Sequence, residues 1–168
     1  IESCRDLLEN FGGHTYAAGL SLKEENLDAF TQRFLKLAAD EIIPEQMTPQ
    51  IDIDAVLDLQ DINAKFMSEL KKMNPFGPDN QKPVFCSLGV KDYGTSKLVG
   101  KDLEHIKLEL IDDKSNTPIH GIAFGMHQHN THIKNMKPFN ICYTIEENTY
   151  NGNTSLQLMV KDIKENDI

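Results

Sequence analysis

The sequence has no tryptophan, only three cysteines and no long apolar run. Cys4, Cys86 and Cys142 are far apart and form no CxxC pair, so we expect neither a disulfide framework nor a structural zinc site. No stretch approaches the roughly 20 apolar residues that a membrane helix requires, so we expect no membrane partner. The chain opens at Ile1 without a methionine or a signal peptide, so we expect part of a longer protein from a reducing cytoplasm.

Positive charge is also scarce. The 168 residues carry 17 basic and 26 acidic side chains, for a formal net charge of −9. This balance argues against wrapping duplex DNA by bulk electrostatics. It leaves room for a local basic groove, because the field in a groove depends on the charges nearest to it. The remaining composition, 39% hydrophobic and 26% charged, is ordinary for a globular chain of one domain or two small ones.

Residues 1–45 form the first predicted unit. A helix is expected to break at Gly12–Gly13 and to be followed by a short extended segment over 16–22. A second helix is predicted from apolar residues at helical spacing, namely Leu27, Phe30, Phe34, Leu37, Ala38 and Ile42. Pro44 should end it, and we expect a stiff, extended linker over 44–49. Forty-five residues are too few to bury a good core, which predicts the tail of a larger domain.

Residues 46–168 form the second predicted unit, which is mostly β. Apolar residues alternate over 51–57, 84–90, 106–110, 139–145 and 156–160, and a more continuous apolar run covers 119–124. Residues 59–73 have helical period instead. Asn151-Gly152 is a strong hairpin signal. Five or six short strands with one helix predict a small closed barrel, with a β-sandwich as the competing architecture.

The segment Phe11–Gly19 is the most specific candidate site in the chain. Gly12 and Gly13 allow a sharp turn whose free N–H groups can hold an anion, and His14 can donate to a phosphate oxygen. The alternative is a glycine pair that caps a helix beside an exposed histidine. The residues alone leave both interpretations open.

Two motifs carry a resemblance to known families. Gly-Gly-His-x-x-Ala-Ala-Gly at 12–19 resembles the signature of the DHH-associated domain of the DHH phosphoesterase superfamily. Residues 70–85, which contain Asn-Pro-Phe-Gly-Pro, resemble a segment of the RecJ family, and the stretches 99–108, 121–125 and 150–158 continue the match in order. The resemblance implies an α+β chain: the C-terminal piece of a DHH-associated α/β domain (1–45), then a small OB-type β-barrel with one inserted helix (46–168).

The resemblance also implies a function. Members of the RecJ family degrade single-stranded DNA from the 5′ end during recombination and repair in the bacterial cytoplasm. They use Mn²⁺ or Mg²⁺ bound in an N-terminal DHH domain. Carried over by motif, Gly12, Gly13 and His14 become phosphate contacts. This sequence has no Asp-His-His run, so it should contain no catalytic or metal residues. We expect it to bind single-stranded DNA, to partner the missing DHH domain and to be inactive alone.

In the second unit, basic and aromatic side chains suggest a strand-binding surface, because OB folds combine a basic groove with stacking rings. The candidate contacts are Lys91, Tyr93, Lys97, Lys101, Lys107 and Tyr150. Asp92, Asp102 and Glu104 dilute this charge. The alternative is a solvated strand face, with Tyr150 covering the end of the barrel.

A metal site and two other functions remain as alternatives. His127, His129 and His132 could offer imidazoles to a metal, but a polar loop or short helix is favoured because no carboxylate or cysteine is near in sequence. The barrel could be a non-enzymatic module that docks protein rather than DNA. A small-nucleotide phosphodiesterase of the same superfamily is the third possibility, disfavoured by the barrel motifs.

Overall fold

The structure is a computed structural model that describes residues 1–115 and 117–166, without the side chain of Tyr150. Two compact units, Ile1–Ile51 and Asp52–Ile168, divide the chain. Within the described residues, no helix is long and apolar enough to cross a membrane.

The first unit is a hairpin followed by one helix. Strands β1 (Asn10–His14) and β2 (Ala17–Ser21) pair antiparallel, and α1 covers Leu27–Glu41. Short 3₁₀ helices lie at Glu2–Leu7, Glu24–Asn26 and Pro44–Met47. The predicted second helix is therefore confirmed. The helix expected before the glycine pair is only a 3₁₀ segment, and the linker expected to be extended contains another.

This unit buries very little. Across residues 1–51, all of which the structure describes, Cys4 is the one buried side chain. Helix α1 has no buried residue, although Phe30 and Phe34 stack with their ring centroids 5.5 Å apart. An apolar helix stripe without a core beneath it contributes little to stability, because hydrophobic stabilisation scales with the area removed from water.

The second unit contains the remaining strands and helices. They are β3 (Ala55–Val56), α2 (Ala64–Lys71), β4 (Phe85–Asp92), β5 (Lys97–Val99), β6 (His105–Ile111), β7 (Ile119–Ala123), α3 (Asn130–Lys134), β8 (Phe139–Tyr150) and β9 (Asn153–Glu165). Further 3₁₀ turns lie at Leu59–Asp61 and His127–His129. Asn151 and Gly152, both at positive φ, form the predicted tight hairpin between β8 and β9.

Five of these strands close into a ring. Strand β4 pairs with β8, β8 with β9, β9 with β7, β7 with β6, and β6 with the end of β4. All of these pairs are antiparallel except β7–β9. Closure pairs the edges of the sheet and produces the small Greek-key barrel typical of OB folds. The predicted α+β class with an OB-type ring is confirmed; β3 and β5 add short edge strands on β4 and β6.

Alternate residues of the ring fill its interior. Ile106, Leu108 and Leu110 of β6 are fully buried, whereas the residues between them face outward. The hydroxyl of Tyr143 donates to Ser87 Oγ (2.7 Å), which in turn donates to the carbonyl of Leu57 (2.7 Å). Burial raises the pKa of Tyr143 well above its usual range. The inward alternation fixes which side chains are left on the outer face.

Two strand and helix boundaries differ from the predictions. The strand expected over 51–57 forms only at Ala55–Val56, and Ile51 and Ile53 remain exposed. The helix expected over 59–73 is interrupted, because Asn63 takes the N-cap of α2 and its Oδ1 accepts from the backbone N–H groups of Lys65 and Phe66.

Candidate nucleic-acid interface

The glycine pair lies inside a strand and not in a turn, so both local structures expected for it are wrong. Gly12 faces Gly19 and Gly13 faces Ala18 across β1–β2, and the turn itself is formed by Thr15 and Tyr16. A Cβ on Gly13 would lie 2.5 Å from the carbonyl oxygen of Ala17, whereas one on Gly12 would meet nothing within 4 Å. Close approach of the two strands therefore requires glycine at position 13.

His14 ends β1 and is exposed at the tip of the hairpin. Its Nδ1 accepts a hydrogen bond from the backbone N–H of Tyr16 (3.3 Å), which assigns the proton of the neutral ring to Nε2. Nε2 can thus donate outward. Neighbouring amides of a strand point to opposite edges, so only one of the two glycine N–H groups can face the same anion. The candidate phosphate site is one imidazole with one amide.

Two lysines oppose each other on the outer face of the barrel. Lys97 on β5 and Lys107 on β6 are direct cross-strand partners, while the neighbouring pair Leu98 and Ile106 points inward. Like charges at directly opposite positions of a sheet are destabilising. This arrangement therefore costs the fold some stability.

The same lysines make no ion pair with any residue that the structure describes, and neither does Lys101 in the turn between β5 and β6. Within the described residues, six other lysines of this unit have a carboxylate at 2.7–3.8 Å, namely Lys71, Lys72, Lys82, Lys91, Lys114 and Lys134. Lys65, Lys137, Lys161 and Lys164 have no such ion pair there either, but they are not among the predicted contacts. Lys97, Lys101 and Lys107, which we call the lysine patch, are the candidate contacts that the structure leaves available to an external anion.

The other predicted contacts are placed differently. Lys91 lies opposite Ile111 and pairs with Asp113 (3.1 Å), away from the lysine patch. Tyr93 follows β4, is half exposed and donates its backbone N–H to the carbonyl of Glu109 (2.8 Å), which sets it beside β6. The side chain of Tyr150 lies outside the described residues.

Sequence reasoning missed two apolar side chains on the outer face. Phe124 follows β7 and is 54% exposed, and its ring centroid lies 4.9 Å from that of His105 on β6. Ile122 also faces outward and is the direct partner of Lys107. The sequence 119–124 contained a signal for them. The small residues Gly121 and Ala123 alternate with Ile122 and Phe124, so if the small residues face inward the large ones face outward.

Acidic side chains limit the positive area. Glu104 lies 3.3 Å from His105 and Glu109 lies 3.5 Å from His120. Hydrogen bonds from its own backbone N–H and from that of Asp102, helped by nearby His105, hold the pKa of Glu104 below its usual value. It stays ionised near neutral pH, so the attraction for an anion is concentrated at the lysine patch.

The histidine segment forms a short helix, as favoured from the sequence. His129 Nδ1 lies 2.7 Å from Glu165 Oε1, and His132 Nδ1 lies 3.2 Å from Glu165 Oε2. The other nitrogen of His132 lies 3.1 Å from the carbonyl of Pro138. These contacts join α3 to the end of β9. Among residues 1–115 and 117–166, no group of three histidine, cysteine or acidic side chains is arranged to hold a metal ion.

Comparison with known families identifies the barrel. A family model described as the RecJ OB domain matches residues 53–162. The chain belongs to the RecJ OB domain family. In that fold, β4, β6, β7, β8 and β9 are the five barrel strands, and β6–β7 is the face on which OB folds bind oligonucleotides.

Relatives match the chain well beyond the barrel. It is 29% identical over 163 residues to the single-stranded-DNA-specific exonuclease RecJ of Bacillus subtilis, which covers 96% of this chain and 20% of that protein. The Salmonella typhimurium RecJ is 28% identical over 158 residues, with 94% and 27% covered. The chain thus spans about a fifth to a quarter of the curated relatives it matches.

Solved structures show the same fold. RecJ of Thermus thermophilus in complex with Mn²⁺ superposes with a TM-score of 0.77 at 21% identity, over 99% of this chain and 23% of that one. The complex of the same protein with Mg²⁺ gives 0.75 at 20% identity, covering 99% and 24%.

Proposed function

We propose that this chain is the C-terminal, substrate-binding part of a bacterial, cytoplasmic 5′→3′ single-stranded-DNA exonuclease that hydrolyses phosphodiester bonds in recombination and repair. The observation that carries the proposal is the lysine patch, in which Lys97 and Lys107 oppose each other on β5 and β6 and, with Lys101, have no ion pair within the described residues. Strand β6 belongs to the face that OB folds use for oligonucleotides, which supports the proposal. The names of the curated relatives support the activity, and the short share of their length supports a role as one part of a longer enzyme.

Residues 1–45 are assigned in this proposal to the C-terminal part of a DHH-associated domain, and residues 46–168 to the OB domain. The sparse burial of the first unit supports this, because a helix and a hairpin without a core need further chain to cover them. The Gly-Gly-His-x-x-Ala-Ala-Gly motif supports it independently.

In this proposal, the metal ion is bound by a domain outside this chain. The Thermus relative was solved with Mg²⁺ and with Mn²⁺, and we propose a divalent ion for the longer enzyme. The residues of this chain do not fit such a centre: it has no Asp-His-His run, and its described residues contain no suitable cluster. The metal partner is therefore proposed to be the DHH domain of the same polypeptide.

The chemistry left to this chain is anion recognition. Nε2 of His14 donates to one phosphate oxygen, together with an amide of Gly12 or Gly13. The lysine patch attracts the phosphates of the strand along β5 and β6, and their neutralisation releases the counterions condensed on the DNA. Neither contact distinguishes bases, so the binding should be insensitive to sequence.

A salt titration tests DNA binding. The purified chain should bind a fluorescein-labelled single-stranded oligonucleotide at low salt, and its affinity should fall steeply as salt rises, because phosphate contacts release counterions. Fluorescence anisotropy from about 20 to about 200 mM salt measures this. Absence of binding even at the lowest salt would favour a protein-docking module instead.

The chain by itself should have no nuclease activity with Mg²⁺ or Mn²⁺, because it lacks the ligands that would activate water. A 5′-labelled oligonucleotide incubated with the purified chain and either metal should remain full length. A relative with all of its domains provides the positive control. Metal-dependent digestion that co-purifies with this chain through several columns would contradict the proposal.

A further inference from the structure

An exposed phenylalanine on the outer face of the barrel has no role in the fold's core. Phe124 directly follows β7 and is more than half exposed. An exposed ring loses the hydrophobic stabilisation that burial of its area would provide. Exposure alone is ordinary for a surface side chain, so what distinguishes this ring is how it is held and what surrounds it.

His105 holds this ring in place. The two rings are nearly perpendicular, at 79°, which is the favoured edge-to-face geometry. Nδ1 of His105 accepts the backbone N–H of Gly125 (3.0 Å), and Nε2 faces Glu104 Oε1 at 3.3 Å. The hydrogen bond at Nδ1 fixes the orientation of the imidazole, and the nearby carboxylate lies against its other nitrogen. Phe124 is a preorganised apolar surface rather than a loose side chain.

The neighbours of Phe124 and His105 include the apolar Ile122, the lysines of the lysine patch and the carboxylate of Glu104. Ile122 precedes it by two residues on the same face and is paired with Lys107. His105 is likewise two residues from Lys107 on β6. The paired rings of His105 and Phe124 therefore lie about 7 Å along the strands from the opposed lysines Lys97 and Lys107. An apolar strip beside unpaired lysines is complementary to a polymer that presents flat apolar groups and anionic groups together.

We propose that Phe124, braced by His105, is a stacking site for one unpaired nucleobase of a single strand whose phosphates contact Lys97 and Lys107. This inference rests on the proposed function and specifies what the face selects. Stacking on an aromatic ring needs a base whose own face is free, and it tolerates all four bases. The site therefore favours a single strand over a duplex, whose bases are already stacked.

The test compares an oligothymidylate with an oligonucleotide of equal length that carries abasic sites throughout and keeps every phosphate. Phe124→Ala should weaken binding of oligothymidylate about fivefold, the lower end for loss of one base–aromatic contact. It should leave binding of the abasic strand unchanged. Phe124→Leu should behave like the alanine variant, and Phe124→Tyr should retain the affinity, because only tyrosine keeps a ring.

Leu88→Ala is the matched control, since Leu88 is 59% exposed on β4 and lies outside the β6–β7 face. It should change neither affinity. Equal weakening on both strands, or no effect of Phe124→Ala on either while both still bind, would overturn the stacking site and leave the proposed function intact. If the unaltered chain binds neither strand at low salt, both proposals fail.

Discussion

Replacing Lys97 and Lys107 together with alanine is expected to weaken single-stranded-DNA binding by about tenfold at low salt. Both ammonium groups face outward and make no ion pair with the described residues, so an incoming phosphate does not have to displace a carboxylate. The same change should make the slope of log affinity against log salt shallower by about 1.4, since each lost phosphate contact removes about 0.7.

Anisotropy titrations across salt concentrations measure both quantities. The matched control is Lys65→Ala with Lys137→Ala, which removes the same net charge from two exposed lysines outside the proposed interface. This control should have a smaller effect and a nearly unchanged slope. An equal loss of affinity in the two double variants would mean that only the total charge matters, and the lysine patch would then have no specific role.

The lysine variants should also differ in stability. Removing two like charges that oppose each other relieves repulsion, so the Lys97/Lys107 variant should unfold at a slightly higher temperature than the unaltered chain. Lysine on an edge strand such as β5 also guards against pairing with other chains. If the lysines serve only this protective role, the variant should aggregate but the slope of log affinity against log salt should not change. A changed slope would instead indicate that the lysines contact phosphates.

The barrel strands could be predicted because alternation reports directly on which face is buried. Residues 106–110 and 139–145 alternate, and both segments became strands of the ring. The order of the strands could not be predicted, because the closing pairs β4–β6 and β7–β9 join distant segments. Local sequence patterns do not identify such pairings, because the partner strands meet only when distant parts of the chain come together.

The glycine hairpin was missed for a different reason. Gly12 and Gly13 look like a break because glycine favours turns, yet the opposite strand is Ala17-Ala18-Gly19, and two strands of small residues can approach closely. The pairing of lysines was equally invisible. Lys91 is neutralised by Asp113, which is 22 positions away in sequence, whereas Lys97 has no carboxylate partner among the described residues. Such partners depend on the fold rather than on local composition.

Replacing His14 with alanine is expected to lower turnover by about 10²-fold in a longer protein that contains this chain and a metal-binding domain. The imidazole is exposed, its Nδ1 is occupied by the Tyr16 amide, and Nε2 can therefore donate to a phosphate oxygen. A donor that strengthens its hydrogen bond as negative charge develops acts on the transition state. The loss should consequently appear in kcat more than in KM.

Single-turnover digestion of a 5′-labelled oligonucleotide, with substrate titrations, separates these two effects. His14→Gln should recover part of the rate, because its side-chain amide can still donate a hydrogen bond. Thr15→Ala changes the neighbouring turn residue and controls for disturbance of the hairpin. A change in KM alone would make His14 a ground-state phosphate contact, since binding substrate and transition state equally leaves kcat unaltered. An unaltered kcat and KM would make it only an exposed residue at the tip of a hairpin.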